Sequence, residues 1–157
     1  MTDQNIKKFF VVIFTLSFFS LITALYVEYI LGFKPCILCI YQRFPYAIAL
    51  LISLIAVFSS NRKILLVILG LTFGASIFLS GYHVGIENGI IEPLFSCTGE
   101  NIKALEKEEI LKSLNNIKPD CKDVNFSIFG ISLATLNFII SFVLTIVIVY
   151  IFRYAKK

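Results

Sequence analysis

The chain has 157 residues, 58% hydrophobic and 15% charged, with a mean hydropathy of +0.88. Soluble domains carry about 25% charged residues, so this composition argues against a water-soluble protein. A formal charge of +4 would suit a nucleic-acid partner, but the basic residues sit at the ends of apolar stretches rather than on one face, and no such partner is expected.

Met1 to Lys8 is a short polar tail. The 19 positions from Phe9 to Val27 are uncharged, and a helix needs about 20 mostly apolar residues to cross the hydrocarbon core. A first membrane helix is expected over about 9–31. The run is longer than the apolar part of a secretory signal, and no small-x-small cleavage pattern follows it, so the helix is read as retained. Glu28 falls near its outer end, at the level of lipid headgroups. Gly32-Phe33-Lys34-Pro35 is a tight outer turn, and Pro35 suits the start of a helix because its missing N–H costs nothing there.

Next comes Pro35-Cys36-Ile37-Leu38-Cys39-Ile40-Tyr41-Gln42-Arg43. It lies between two apolar segments, where a membrane helix meets water. A second membrane helix is expected over 44–58, with 36–43 as its lead-in and 32–43 as the first outer loop. Pro45 would free the carbonyl of Tyr41. Either the cysteine segment is a partly wound lead-in, or a first turn forms and kinks at the proline. If the segment is helical, Cys36, Cys39 and Arg43 share one stripe.

A third helix is expected over 64–82, with Gly70, Gly74 and Ser76 permitting close approach to a neighbour. Residues 83–125 form a second outer loop containing His83, Glu87, Cys97 and Cys121. Apolar residues from Ile102 to Ile117 recur at helical spacing among lysines and glutamates. Glu100 to Asn115 therefore reads as an amphipathic helix on the bilayer surface, or packed against the protein itself. A fourth membrane helix is expected over 126–152, capped by Ser127 or Asn125. The fold class is an all-α integral membrane protein, a single four-helix bundle with a short interfacial helix. A soluble bundle would need polar helix faces, which these stretches lack.

Charge sets the orientation. Lys7, Lys8, Arg62, Lys63, Arg153, Lys156 and Lys157 flank the helices on one side, opposed only by Asp3, a positive-inside pattern. Both termini and the Ser59-Ser60-Asn61 turn are therefore expected in the cytoplasm. The 87–123 segment holds eight acids and five lysines and faces outward with all four cysteines. Disulfides persist on that side of the membrane.

A C-x-x-C pair is redox-active or metal-binding. Cys97 and Cys121 are 24 residues apart and suit a second pair or a loop staple. A four-thiolate zinc site favours two close pairs, which Cys97 and Cys121 do not supply. C-type haem needs His directly after the motif, where Ile40 stands. A C-x-x-C disulfide closes a tiny loop and constrains little unfolded-state entropy, so it serves better as an electron shuttle than as a staple. Thiol–disulfide exchange remains, with no metal, and proceeds by thiolate attack through mixed disulfides. Arg43 and the start of helix two are expected to favour a thiolate at Cys36.

The string from Pro35 to Arg43 resembles the signature of the DsbB family, the quinone-linked disulfide-bond formation proteins of the bacterial cytoplasmic (inner) membrane. The resemblance covers almost the whole chain. It implies that Cys97 is attacked by a soluble periplasmic thioredoxin-like oxidase (DsbA-like), and that Cys121 can pair transiently with Cys36. It further implies that Cys39 lies nearest the quinone, a ubiquinone or menaquinone, with Arg43 beside it. Electrons would pass from the soluble dithiol to Cys97–Cys121, to Cys36–Cys39 and to quinone, which the respiratory chain reoxidises. The chain has no tryptophan, so any ring stacked near the quinone must be Phe or Tyr. The vitamin K epoxide reductase family has related chemistry, but its quinone-side C-x-x-C lies on a later helix.

Three further residues join the cofactor-side list. His83 either relays protons to a reduced quinone or is an interfacial residue bonded to Glu87. Tyr41 and Gln42 either line the quinone pocket or, for the tyrosine, belong to the interfacial aromatic belt. The competing function is a non-enzymatic membrane scaffold or assembly factor whose disulfides only staple the outer loops.

Overall fold

The computed structural model describes residues 3–92, Cys121, 127–128 and 130–155. The expected interfacial helix at 100–115 and Cys97 lie outside the described residues. The elements are α1 (Asp3–Tyr29), α2 (Ile37–Tyr41), α3 (Arg43–Phe58), α4 (Arg62–Glu87), a hairpin of β1 (Ser127–Ile128) and β2 (Ile131–Ser132), and α5 (Leu133–Ala155). Among the described residues, four spans are long and apolar enough to cross a membrane: Gln4–Tyr29, Ile37–Phe58, Arg62–Glu87 and Leu133–Tyr154. Their outward faces are apolar as well. Phe78 is 83% exposed and Leu71 70%, which water would penalise and lipid does not. The protein is a multi-pass membrane bundle.

The cysteine segment resolves the choice around Pro45. It winds into one turn, α2, which ends at Gln42. That residue keeps right-handed helical dihedrals (φ −67°, ψ −14°), and only the ladder of hydrogen bonds is interrupted before α3. Pro45 then occupies the third position of α3. A first-turn N–H has no intrahelical acceptor, so nothing is lost there. Cys36 is the N-cap of α2, and its Sγ accepts a hydrogen bond from the Cys39 N–H at 3.3 Å.

The remaining boundaries differ from the sequence expectation by up to seven residues. Helix α1 ends at Tyr29 rather than 31. Helix α4 runs to Glu87, not 82, and so carries His83 and Glu87 on helix rather than in the lead-out. Gly89, at φ +69°, takes the left-handed conformation that stops it. The last helix starts at Leu133, seven residues after the expected 126, because β1 and β2 pair first. Ser132, not Ser127 or Asn125, lies at its start, with Oγ accepting from the Thr135 N–H at 3.1 Å. Arg62 Nε donates to the Ala56 carbonyl at 3.1 Å, satisfying an end of α3 across the short turn.

Helix α1 packs chiefly on α3, and α4 on α5, with α3 and α4 joining the two pairs. Gly70 lets α5 approach: a Cβ there would meet Ile148 at 3.2 Å. Gly74, expected to do the same, faces open space. The larger core cluster gathers Ile6, Phe10 and Ile13 from α1 with Leu66 and Leu69 from α4 and Ile148 and Ile151 from α5. These close the end of the bundle away from the cysteines. A smaller cluster holds Cys36, Leu38, Ile86 and Cys121. Between the second half of α1 and the first half of α5 the bundle stays open.

Candidate active site

That opening is a cleft of about 440 Å³, within the usual range for small-molecule sites. Leu16 and Phe19 of α1 and Leu136 and Ile140 of α5 make its apolar walls. Its polar lining includes Glu28, Lys34, Cys36, Cys39, Gln42, Arg43, Tyr46, His83, Glu87 and Asn137. The stripe expected of Cys36, Cys39 and Arg43 therefore survives the break at Gln42.

The two sulfurs of the motif are 2.9 Å apart, with the Cys36 thiol donating to Cys39. This hydrogen bond and burial push the Cys36 thiol up to about 12. The sequence expectation of a thiolate at Cys36 is thus reversed in the dithiol. The proton is held between the sulfurs, and Arg43 is engaged elsewhere. Cys39 is the acceptor of the pair, and both cysteines line the cleft wall.

Arg43 forms an ion pair with Glu28, both about three-quarters buried. Glu28, expected near the headgroups at the outer end of α1, is also the partner of the cleft arginine. His83 is 2% exposed and touches three groups. One ring nitrogen, Nδ1, is 2.8 Å from Gln42 Nε2. The other, Nε2, is 3.6 Å from Cys36 Sγ and 3.7 Å from Glu87 Oε1. The contact with Glu87 that one sequence alternative expected is present, and the contact with the cysteine was expected by neither.

Tyr41 does not line the cleft. It is 52% exposed and its ring lies near that of Phe44. Two residues beyond Cys39 on a helical turn is about 200° around the axis, which carries it to the outer face. Cys121 is 1% exposed and packs in the same cluster as Cys36.

Sequence reasoning missed Asn137, Tyr46 and Ser141. Asn137 Nδ2 donates to Gln42 Oε1 at 3.0 Å, and Tyr46 Oη donates to Asn137 Oδ1 at 2.6 Å. Ser141 Oγ reaches the same oxygen at 3.3 Å and Ser76 Oγ at 3.0 Å. The signal was a lone amide inside an apolar span. Counting charges passes over it, although an unsatisfied amide in lipid costs several kcal/mol.

The donor atoms of Cys36, Cys39 and His83 all lie within 4.8 Å of one another. Two thiolates on a tetrahedral zinc stand about 3.8 Å apart, so a metal would have to spread these sulfurs. A distance of 2.9 Å suits a dithiol poised to close into a disulfide.

Comparison with known proteins agrees with this chemistry. The family described as "Disulfide bond formation protein DsbB" matches residues 6–151. The chain belongs to the DsbB family. A Disulfide bond formation protein B of Cupriavidus pinatubonensis is 31% identical over 149 residues, 92% of this chain and 91% of the relative. That of Ralstonia nicotianae is 35% identical over 96 residues, 60% of this chain and 58% of the relative. An uncharacterised protein of Rickettsia prowazekii is 33% identical across all of this chain and 96% of its own length. Membership in the DsbB family makes the chain a membrane protein of disulfide bond formation, a disulfide oxidoreductase.

Proposed function

We propose that this DsbB-family protein reoxidises a soluble periplasmic thioredoxin-fold dithiol oxidase and delivers the two electrons to a membrane quinone. The route runs through Cys97–Cys121, then Cys36–Cys39. The observation that carries the reading is a close dithiol on the wall of a membrane-level cleft that it shares with Arg43 and His83. Burial of Cys121 beside Cys36 supports exchange between the two pairs through a transient Cys36–Cys121 bond. Seven basic residues at the opposite helix ends support cytoplasmic termini and periplasmic cysteines in a bacterial inner membrane.

The residues fit the acceptor. Apolar walls suit a quinone ring and its isoprenoid tail and exclude water, while Arg43 offers N–H donors from one side and Gln42 and His83 line the same wall. A bound quinone, ubiquinone or menaquinone, supplies a neutral acceptor of two electrons and two protons, which the respiratory chain regenerates. The protein's own part is to present Cys39 to that space, to balance Arg43 with Glu28, and to hold a proton on His83 close to the sulfurs.

The test uses purified protein in detergent, a reduced thioredoxin-like dithiol protein and a short-chain quinone. Thiol oxidation matched by quinone reduction, and lost in Cys36→Ser and Cys97→Ser, is the expected result. No electron flow in the wild type with either quinone class would overturn the proposal and leave a stapled scaffold as the better account.

A further inference from the structure

We propose that Asn137 is a positioning residue: acting through Gln42, it fixes the ring proton of His83 on Nε2 and keeps that N–H directed at Cys36 Sγ. The argument starts at the far end of the chain of contacts. Two hydroxyls, Tyr46 Oη at 2.6 Å and Ser141 Oγ at 3.3 Å, converge on Asn137 Oδ1. Both hydroxyls donate there with that atom as the amide oxygen, which leaves Nδ2 facing Gln42 and donating to Oε1 at 3.0 Å. Hydroxyls alone would allow either amide orientation, and the acceptor-only Glu87 carboxylate at the other end of the chain selects this one. The Gln42 amide is then fixed as well, with its NH₂ turned to His83 Nδ1 at 2.8 Å. An amide nitrogen only donates. Nδ1 must carry the lone pair, and the neutral ring holds its proton on Nε2.

The other side of the ring gives the same polarity. Nε2 faces the Cys36 sulfur and a Glu87 carboxylate oxygen, both acceptors. Glu87 is itself held, its Oε2 accepting from Ser132 Oγ at 2.6 Å. Reversing the chain would need both amides flipped and would set a lone pair of Nε2 against a carboxylate. Gln42, His83 and Asn137 are 8%, 2% and 9% exposed, so little water is available to substitute for a lost partner.

The consequence for turnover rests on the relay proposed above. When a disulfide joining Cys36 to a second cysteine is resolved, an incoming thiolate bonds to the partner sulfur. The S–S bond breaks and the electron pair leaves on Cys36 Sγ. His83 Nε2–H donates to that thiolate and keeps its proton, which makes Cys36 a better leaving group. Asn137 touches none of the reacting atoms; it determines which ring nitrogen faces them.

The chain contains one histidine, so ¹⁵N-histidine labelling gives one signal per ring nitrogen. Wild-type protein in nanodiscs should show Nδ1 in the lone-pair range and Nε2 in the protonated range. Asn137→Leu frees the Gln42 amide and should move both signals toward a mixture of tautomers. Gln42→Glu presents an acceptor to Nδ1 and should exchange the two assignments. Turnover in Asn137→Leu should fall on the order of tenfold, the scale of one hydrogen bond to a charged group, with KM for the dithiol protein unchanged. A wild-type spectrum with the proton on Nδ1, or Asn137→Leu with a wild-type spectrum, overturns the assignment. An altered spectrum with unaltered turnover overturns the positioning role. The ¹⁵N readout needs no quinone, so a failed relay would sink the functional reading alone and leave the tautomer result standing.

Discussion

The two ends of this bundle hold their helices together by different means. Away from the cysteines, Ile6, Phe10 and Ile13 interlock with Leu66, Leu69 and Ile151, all 5% exposed or less. Contact there is dispersion between apolar side chains, and lipid tails offer nearly the same contact to separated helices. At the cysteine end α1 and α5 part to leave a cleft. Order there comes from hydrogen bonds joining Gln42, Tyr46, Ser76, His83, Asn137 and Ser141 across three helices. One end supplies stability that is indifferent to chemistry. The other places donors and acceptors one atom at a time, and accepts an open wall to do so.

Substitutions at the two ends should separate stability from turnover. Phe10→Ala, in the apolar end, should lower stability to denaturant by about 3 kcal/mol, and turnover per folded molecule should stay at wild type. A drop in turnover at unchanged stability would mean that the ends are coupled. Arg43→Leu, in the cleft, should do the reverse. It leaves Glu28 without its partner and should raise the KM for a short-chain quinone about tenfold, equivalent to about 1.4 kcal/mol, with a smaller change in kcat. An unchanged KM would take Arg43 out of the acceptor site.

A subtler effect concerns the thiol proton. Because Cys36 is pushed up to about 12, it stays a thiol across the range in which an ordinary cysteine, near pKa 8.5, ionises. Iodoacetamide should therefore modify Cys36 of the reduced protein slowly between about pH 7 and 9. Cys39→Ser replaces the sulfur that receives the Cys36 proton, lowers the Cys36 pKa and should speed modification several-fold, as read by mass spectrometry. Equal rates would show that burial alone protects the thiol. The smallest effect belongs to Tyr41→Phe. Its ring faces outward, and both stability and turnover should stay within about 0.5 kcal/mol of wild type. A larger loss would bring Tyr41 back to the cleft.

Much of the fold was legible because lipid imposes a coarse rule. Uninterrupted apolar stretches must span, and their order then follows from the chain. The signature from Pro35 to Arg43 likewise pointed to the chemistry. What stayed hidden was fine placement. Pro45 signalled a break but did not locate it at Gln42, because a proline disrupts nothing in a first turn. Ser127 looked like a cap, yet local pairing with Ser132 moved the helix start seven residues along. Glu28 and Arg43 sit 15 residues apart on different helices, and no local pattern announces such a pair. Asn137 was invisible for a related reason: the partners that give it meaning, Gln42 and Tyr46, lie more than 90 residues earlier.

The same amide ladder bears on how the protein is assembled. Helices enter a bilayer one or two at a time and associate afterwards, and apolar faces alone let two of them slide by a turn, about 5.4 Å, at little cost. Gln42, Asn137 and Ser76 belong to segments inserted separately, and each reaches its partner at a single depth and rotation. A slip of one turn would leave several polar groups without partners in hydrocarbon. The ladder therefore acts as a registration mark, rejecting misaligned bundles during biogenesis before any sulfur has exchanged an electron.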